Sequence, residues 1–325
     1  MRFVDAELEA SVRSGVAEVE AALAASVRAE DEFTSVVAAH LLDAGGKRFR
    51  PLLAVLAAHF GDPHGPGVVP SAVVVELTHL ATLYHDDVMD EAAVRRGAPS
   101  ANARWDNTVA ILTGDFLFSR ASNLLAELGP EAVRIQARTF ERLVIGQIRE
   151  TVGPPPGADP VAHHLQVLAG KTGSLIASAA QFGAMFAGVD AVHVEVLRGI
   201  GEEIGVAFQL SDDIIDIASE SSSSGKTPGT DLREGIATLP VLYALHRSCD
   251  ESGSRLRELI SRPITDEADV AEALARLRRS PALEEARATL REYADRARAR
   301  LPELPDVPAR AALAALIELT VTRSS

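Results

Sequence analysis

The stretch Ser71-Ala72-Val73-Val74-Val75-Glu76-Leu77-Thr78-His79-Leu80-Ala81-Thr82-Leu83-Tyr84-His85-Asp86-Asp87-Val88-Met89-Asp90 decides the fold. It is apolar almost all round, the composition of a helix at the centre of a bundle. It ends in three acids at i, i+1 and i+4, which on a helix share roughly a 100° arc and point the same way. Carboxylates crowded like this repel one another. Hard divalent cations between them make the crowding tolerable, and Mg²⁺ held by a few carboxylates completes its shell with water and phosphate oxygens. The pattern returns as Asp212-Asp213-Ile214-Ile215-Asp216, closing a second apolar run that starts at Ala191. Two such clusters imply a polyanionic ligand clamped from both sides.

Outward from these two runs, apolar residues at three-to-four spacing predict helices over 4–25, 33–44, 52–60 and 71–90. Further helices are expected over 107–128, 131–151, 160–168, 172–187 and 191–219, then over 231–247, 266–279, 283–300 and 309–321. Alternating strand patterns are nearly absent, so the chain reads as all-α. Residues 61–70, 153–160 and 219–229 are loops rich in Gly, Pro and Ser, the last with a serine run that reads as a flap. None reads as an interdomain linker, and one domain spanning 1–325 is expected.

Composition narrows the function. A net charge of −14 over 325 residues argues against a nucleic-acid partner, which needs a basic face. The single cysteine, Cys249, excludes an internal disulfide framework and fits a reducing compartment. No uninterrupted apolar stretch reaches the ~18 residues of a membrane span, so a cytoplasmic protein is expected. Lysine is rare: of 32 basic residues, only Lys47, Lys171 and Lys226 are lysines. All three lie in glycine-flanked breaks, Gly45-Gly46-Lys47-Arg48-Phe49-Arg50-Pro51, Gly170-Lys171-Thr172-Gly173 and Gly225-Lys226-Thr227-Pro228. There backbone N–H groups and a compact ammonium can approach a phosphate closely.

Taken together, these segments resemble the trans-isoprenyl diphosphate synthases, or polyprenyl synthetases, over essentially the whole chain. The resemblance rests on Gly45 to Pro51, His79, Asp86 to Asp90 followed by Arg95-Arg96-Gly97, Gly114-Asp115, Lys171-Thr172, Phe208-Gln209, Asp212 to Asp216, Lys226 and Asp231. It implies a single large helical bundle of the isoprenoid synthase type with a central cavity. It also implies addition of isopentenyl diphosphate to an allylic diphosphate, and a homodimer. On this resemblance Asp86, Asp87, Asp90 and Asp212, with Asp213 and Asp216 directly or through water, hold two or three Mg²⁺ ions on the allylic diphosphate. Arg95, Lys171 and Lys226 add positive charge there. Lys47, Arg50, His79 and Arg96 grip the isopentenyl diphosphate without metal, and Thr172 and Gln209 face the carbocation. His85 is expected to play a structural hydrogen-bonding role.

In this family the residues beneath the first cluster set product length. Ala81 and Thr82 are small, which leaves the path towards Thr78, Leu77 and Val74 open and predicts a long-chain product. The alternative is a floor from another helix, with Phe116, Phe118, Phe140 or Met185 as candidates, and a geranylgeranyl-length product. Family members often carry a further lysine where this chain has Ile236, and Arg233 is expected to compensate. A terpene cyclase and a non-catalytic subunit of a heteromeric synthase are the rival readings. The second Asp cluster and Lys47 with Arg50 count against the first, and retention of both clusters counts against the second.

Overall fold

The structure, a computed structural model, describes residues 3–219, 228–247 and 251–323. Its helices are α1 (Ala6–Ser26), α2 (Glu32–Asp43), α3 (Phe49–Ala58), α4 (Val68–Met89), α5 (Ala101–Arg104), α6 (Asn107–Leu128), α7 (Pro130–Val152) and α8 (Pro160–Leu168). They continue with α9 (Ser174–Phe186), α10 (Ala191–Ala218), α11 (Thr230–Glu234), α12 (Leu239–Arg247), α13 (Glu251–Ile260), α14 (Glu267–Arg278), α15 (Pro281–Ala299) and α16 (Pro308–Thr322). The only strands among the described residues are β1 (Val94–Arg95) and β2 (Ala98–Pro99), a two-residue hairpin, so the chain is all-α. Among the same residues no helix is long and apolar enough to cross a membrane.

Local chemistry sets many of the helix starts. Asp5, Asp31, Asp106, Asp159 and Asp266 precede α1, α2, α6, α8 and α14, and each side chain accepts a first-turn N–H that would otherwise lack a partner. Helices α6 and α8 occupy the ranges their periodicity predicts. Three departures have local causes. Helix α4 begins at Val68, inside the expected loop, because a turn closed by Val68 N–H to Gly65 O at 2.9 Å leads straight into it. The stretch 231–247 is not one helix: Gly235, at φ 75°, ends α11, and Pro240 lies in the first turn of α12. Helix α13 and the short α5 carry too little apolar periodicity to be read.

The chain forms two compact units. The first comprises Met1–Glu141, Leu175–Gly201 and Glu303–Leu313; the second comprises Arg142–Ser174, Glu202–Pro302 and Ala314–Ser325. Four of the five divisions fall inside α7, α9, α10 and α16, and the fifth, between Pro302 and Glu303, falls in the short turn between α15 and α16. In the first unit α4 packs along α6 and against α3 and α1. Its Val73, Val74, Val75, Leu77, Leu80 and Tyr84 are all buried, as expected of a central helix. Truncating one such leucine to alanine removes about 2–5 kcal/mol. In the second unit α12 packs against α15, α13, α14 and α8, over a core that includes Leu210, Ile214, Leu239 and Leu277.

Candidate active site

Asp86 and Asp87 occupy the last turn of α4, and Asp90 is its C-cap. Asp87 is fully buried: Oδ1 accepts from Arg95 Nε at 2.6 Å, while Oδ2 has no hydrogen-bond partner. Burial pushes the Asp87 carboxyl above the usual carboxylate range, against the pull of Arg95. Arg95 Nη2 also lies 4.0 Å from Asp90 Oδ2. The hairpin aims the two arginines. Val94 pairs with Pro99 and Arg95 with Ala98, so the turn is Arg96-Gly97, with φ of 54° and 78°, as a two-residue type I′ turn requires. Arg95 thus meets the acid cluster, while Arg96 Nη1 reaches the chain before α3, donating to Leu41 O at 2.8 Å and to Gly45 O.

Next to this cluster lies a concentration of positive charge. Arg50 on α3 has a buried Nε without a partner, and burial lowers its guanidinium to about 10 despite the opposing charge of Glu76. His79 lies two turns before Asp86. Burial, then Arg50, Arg96, Arg95 and Arg48, hold its imidazole well below the ordinary histidine value, so it is neutral at pH 7. The structure therefore brings Arg50, His79, Arg95 and Arg96 within electrostatic reach of one another, and places Lys47 in the loop leading into α3. Arg48 is the exception in this loop. Its side chain is only 9% exposed and turns inward, to Glu20 Oε1 at 2.5 Å and Leu42 O at 3.0 Å.

Beneath the first cluster Ala81 is fully buried, and Thr82 Oγ1 donates to His79 O at 2.8 Å. One turn further, Thr78 Oγ1 donates to Val74 O and accepts from Gln136 Nε2 on α7, both at 2.8 Å. Phe118 on α6 meets Phe140 on α7 edge-on at 4.7 Å, and His85 tilts against Phe118 at 5.8 Å. His85 Nε2 donates to Ile111 O at 3.1 Å, the structural role expected of it. Gly114 explains its own residue type here, since any β-carbon on it would collide with the His85 ring.

The second unit holds the other cluster. A π-helical turn, Ala169–Gly173, joins α8 to α9 and carries Lys171 and Thr172. Such turns widen the backbone ladder and recur at functional sites. Lys171 Nζ pairs with Glu150 Oε2 at 2.5 Å, and Thr172 Oγ1 lies 3.5 Å from Gln209 Oε1. Gln209 Nε2 donates to Asp213 Oδ1 at 3.2 Å; Asp213 Oδ2 is buried without a hydrogen bond, 3.4 Å from His164 Nε2. Arg323, at the end of the chain, pairs with Asp212 and stacks 4.3 Å over the Phe208 ring. Asp216 accepts the backbone N–H groups of Thr230 at 3.1 Å and Asp231 at 3.2 Å, tying α11 to α10.

Among the described residues no three His, Cys, Asp or Glu side chains are gathered as a metal-binding group. The donor set nevertheless fits a hard divalent cation: each cluster offers carboxylate oxygens, and each has one, Asp87 Oδ2 or Asp213 Oδ2, buried with no hydrogen bond. Lys226 and the serine run before it lie outside the described residues. Arg233, expected to compensate for the lysine replaced by Ile236, is engaged within its own unit. Its Nε and Nη2 are bound to Glu267 at 2.9 and 2.7 Å and its Nη1 to Pro228 O at 2.8 Å. Sequence reasoning missed Glu76, Glu150 and His164. Only Glu76 left a signal, as the lone acid inside an apolar run.

The polyprenyl synthetase family model matches residues 31–277. The nonaprenyl diphosphate synthase of Mycobacterium tuberculosis is 54% identical over 320 residues, covering 98% of this chain and 95% of that protein. The dimethylallyltranstransferase of the same organism is 43% identical over 319 residues, covering 98% and 97%. The crystal structure of geranylgeranyl pyrophosphate synthase from Corynebacterium glutamicum, complexed with calcium and isoprenyl diphosphate, superposes with a TM-score of 0.89 at 47% identity over 100% of both chains.

Proposed function

The chain belongs to the polyprenyl synthetase family, and from that membership we propose that it condenses isopentenyl diphosphate with an allylic diphosphate to give a long-chain trans-polyprenyl diphosphate. The observation that carries this reading is the pair of buried carboxylate oxygens without hydrogen bonds, Asp87 Oδ2 and Asp213 Oδ2, one in each cluster. Leaving such atoms unsatisfied is costly, and a divalent cation would relieve it.

Asp86, Asp87, Asp90, Asp212, Asp213 and Asp216 would hold two or three Mg²⁺ ions, which when bound neutralise the charge that grows on a departing diphosphate. Arg95, Lys171 and Lys226 supply fixed positive charge for the same group. Lys47, Arg50, His79 and Arg96 bind the diphosphate of the second substrate without metal. His79, held neutral, adds hydrogen-bonding capacity there without adding to the repulsion. Thr172 Oγ1 and Gln209 Oε1 present partial negative charge to the allylic cation, and apolar walls keep water from quenching it. No side chain stands out as a base, so the last proton leaves to bound diphosphate.

The chain acts as one catalytic domain, a reading supported by α7, α9, α10 and α16 each running across a division between its compact units, and its place is the cytoplasm. A homodimer is supported by large apolar side chains left exposed on α6, Ile111 and Leu112, and on α7, Val144, Ile145 and Ile148. Long-chain synthesis is favoured by the small Ala81 and Thr82. A geranylgeranyl-length product is the second reading, favoured by the Phe118–Phe140 contact, which could close the path.

The deciding experiment incubates purified protein with labelled isopentenyl diphosphate, Mg²⁺ and, separately, ten-, fifteen- and twenty-carbon allylic diphosphates, and sizes the dephosphorylated products. A ladder ending well beyond twenty carbons, shortened by Ala81→Phe, supports the proposal. An unshortened product removes Ala81 from the account. A twenty-carbon product moves the floor to Phe118 and Phe140, and no incorporation with any starter defeats the synthase reading.

A further inference from the structure

Glu76 occupies the middle of α4, 2% exposed, three residues before His79 and so on the same face. A carboxylate is rarely left in such a position without partners. Its Oε1 lies 3.4 Å from Arg48 Nη1, and it also interacts electrostatically with Arg50 and Arg96. Arg48 is held from its other side by Glu20, and it donates further to Leu42 O and Gly45 O. Gly45 O also accepts from Arg96, so the two guanidiniums share one carbonyl of the loop. Gly46 threads between them. A β-carbon there would lie 2.8 Å from Arg48 Nη1 and 3.0 Å from the guanidinium carbon of Arg96, so a larger residue would push the two arginines aside.

This geometry separates the basic residues into two groups. Arg48 spends its donors inward and has little surface left for a ligand. It is the post on which the loop carrying Lys47 hangs. Arg50 and Arg96 belong to the face that meets substrate. Three guanidiniums this close repel one another, and the repulsion is greatest when no diphosphate is present to offset it. A buried carboxylate beneath them supplies the missing negative charge before any ligand binds. Because it is buried, it does so without competing for the outward donors.

We infer that Glu76 is a positioning residue for the metal-free diphosphate grip, its carboxylate holding Arg48, and through it the Gly45–Gly46 loop, so that Lys47, Arg50 and Arg96 are set for isopentenyl diphosphate before it binds. The inference rests on the proposed synthase reading. It goes beyond that reading by assigning a role to an acid that touches neither substrate nor metal.

The test is Glu76→Gln, which keeps the shape and removes the charge, with two readouts. Calorimetric binding of isopentenyl diphosphate in the absence of metal should weaken by about 30-fold. In turnover the KM for isopentenyl diphosphate should rise by a similar factor, with the KM for the allylic diphosphate within roughly twofold of wild type. Binding within twofold of wild type, or an equal rise in both KM values, overturns the inference. Should Glu76→Gln fail to fold, Glu20→Gln loosens the same arginine from its half-exposed side and should weaken isopentenyl diphosphate binding by about five-fold; unchanged binding there overturns the inference as well. A wild-type protein that binds isopentenyl diphosphate without turning it over defeats the synthase reading while the binding comparison still decides the role of Glu76. A wild-type protein that does not bind it defeats both.

Discussion

The two acid clusters look alike in sequence but are held in place by different means. Around Asp86 to Asp90 the supporting groups are a tight hairpin, a glycine-rich loop and the buried Glu76, and cations predominate. Around Asp212 to Asp216 the support comes from distant parts of the chain: Arg323 on Asp212, His164 beside Asp213, and the backbone of α11 on Asp216. The cation on that side, Lys171, sits in a π-helical turn and is paired with Glu150. The first cluster is thus braced by Arg95 and, through the hairpin, by the loop before α3. The second is assembled from side chains that already pair with other groups.

The sharpest way to break this comparison is to remove one carboxylate from each cluster. Asp87→Asn deletes the buried acid that both pairs with Arg95 and carries an oxygen free for metal, so kcat/KM should fall by about 10³-fold. Asp216→Asn keeps an oxygen able to accept the α11 N–H groups, and its loss should be smaller, about 10- to 100-fold. Steady-state kinetics on both variants checks the order, and equal losses would show that the two clusters are equally committed to metal. A smaller effect follows from Arg323, whose guanidinium pairs with Asp212 and would compete with a cation there. Arg323→Ala removes that competitor and should lower the Mg²⁺ concentration giving half-maximal activity by about threefold. A rise instead would mean that Arg323 binds diphosphate.

The difference between the regions also explains what could be read from the chain alone. Helices such as α6 and α8 were legible because their apolar spacing and capping aspartates are local properties. The break between α11 and α12 was marked by Gly235 and Pro240, but apolar spacing on both sides masked it. Asp86 to Asp90 and Asp212 to Asp216 announced themselves as repeated patterns. Glu150 and His164 did not, because each acquires its meaning from a partner brought up by folding, Lys171 and Asp213. Arg233 is a similar case: its sequence position near Ile236 gives no hint that Glu267, on α14, binds its Nε and Nη2.

The smallest expected effect tests the charge imbalance of the first region directly. Burial and four arginines hold the His79 imidazole well below the ordinary histidine value of about 6.5. The sign follows from proton counting. Well above pH 6.5 His79 is neutral in both the folded and the unfolded chain and contributes nothing to pH dependence. As pH falls below 6.5 the unfolded chain takes up a proton that the folded chain refuses, so stability declines, by at most about 1.4 kcal/mol per pH unit from this one group. His59, also lowered by burial, acts in the same direction, whereas Glu76 and Asp87, both raised by burial, act oppositely at lower pH. Comparing wild type with His79→Gln by urea unfolding between pH 5.5 and 7 isolates His79. The variant should lose stability less steeply, by up to about one proton's worth of slope. Parallel curves would mean that the arginines do not exclude a proton from His79, and the contrast between a cation-rich first region and an acid-dominated second one would lose its electrostatic basis.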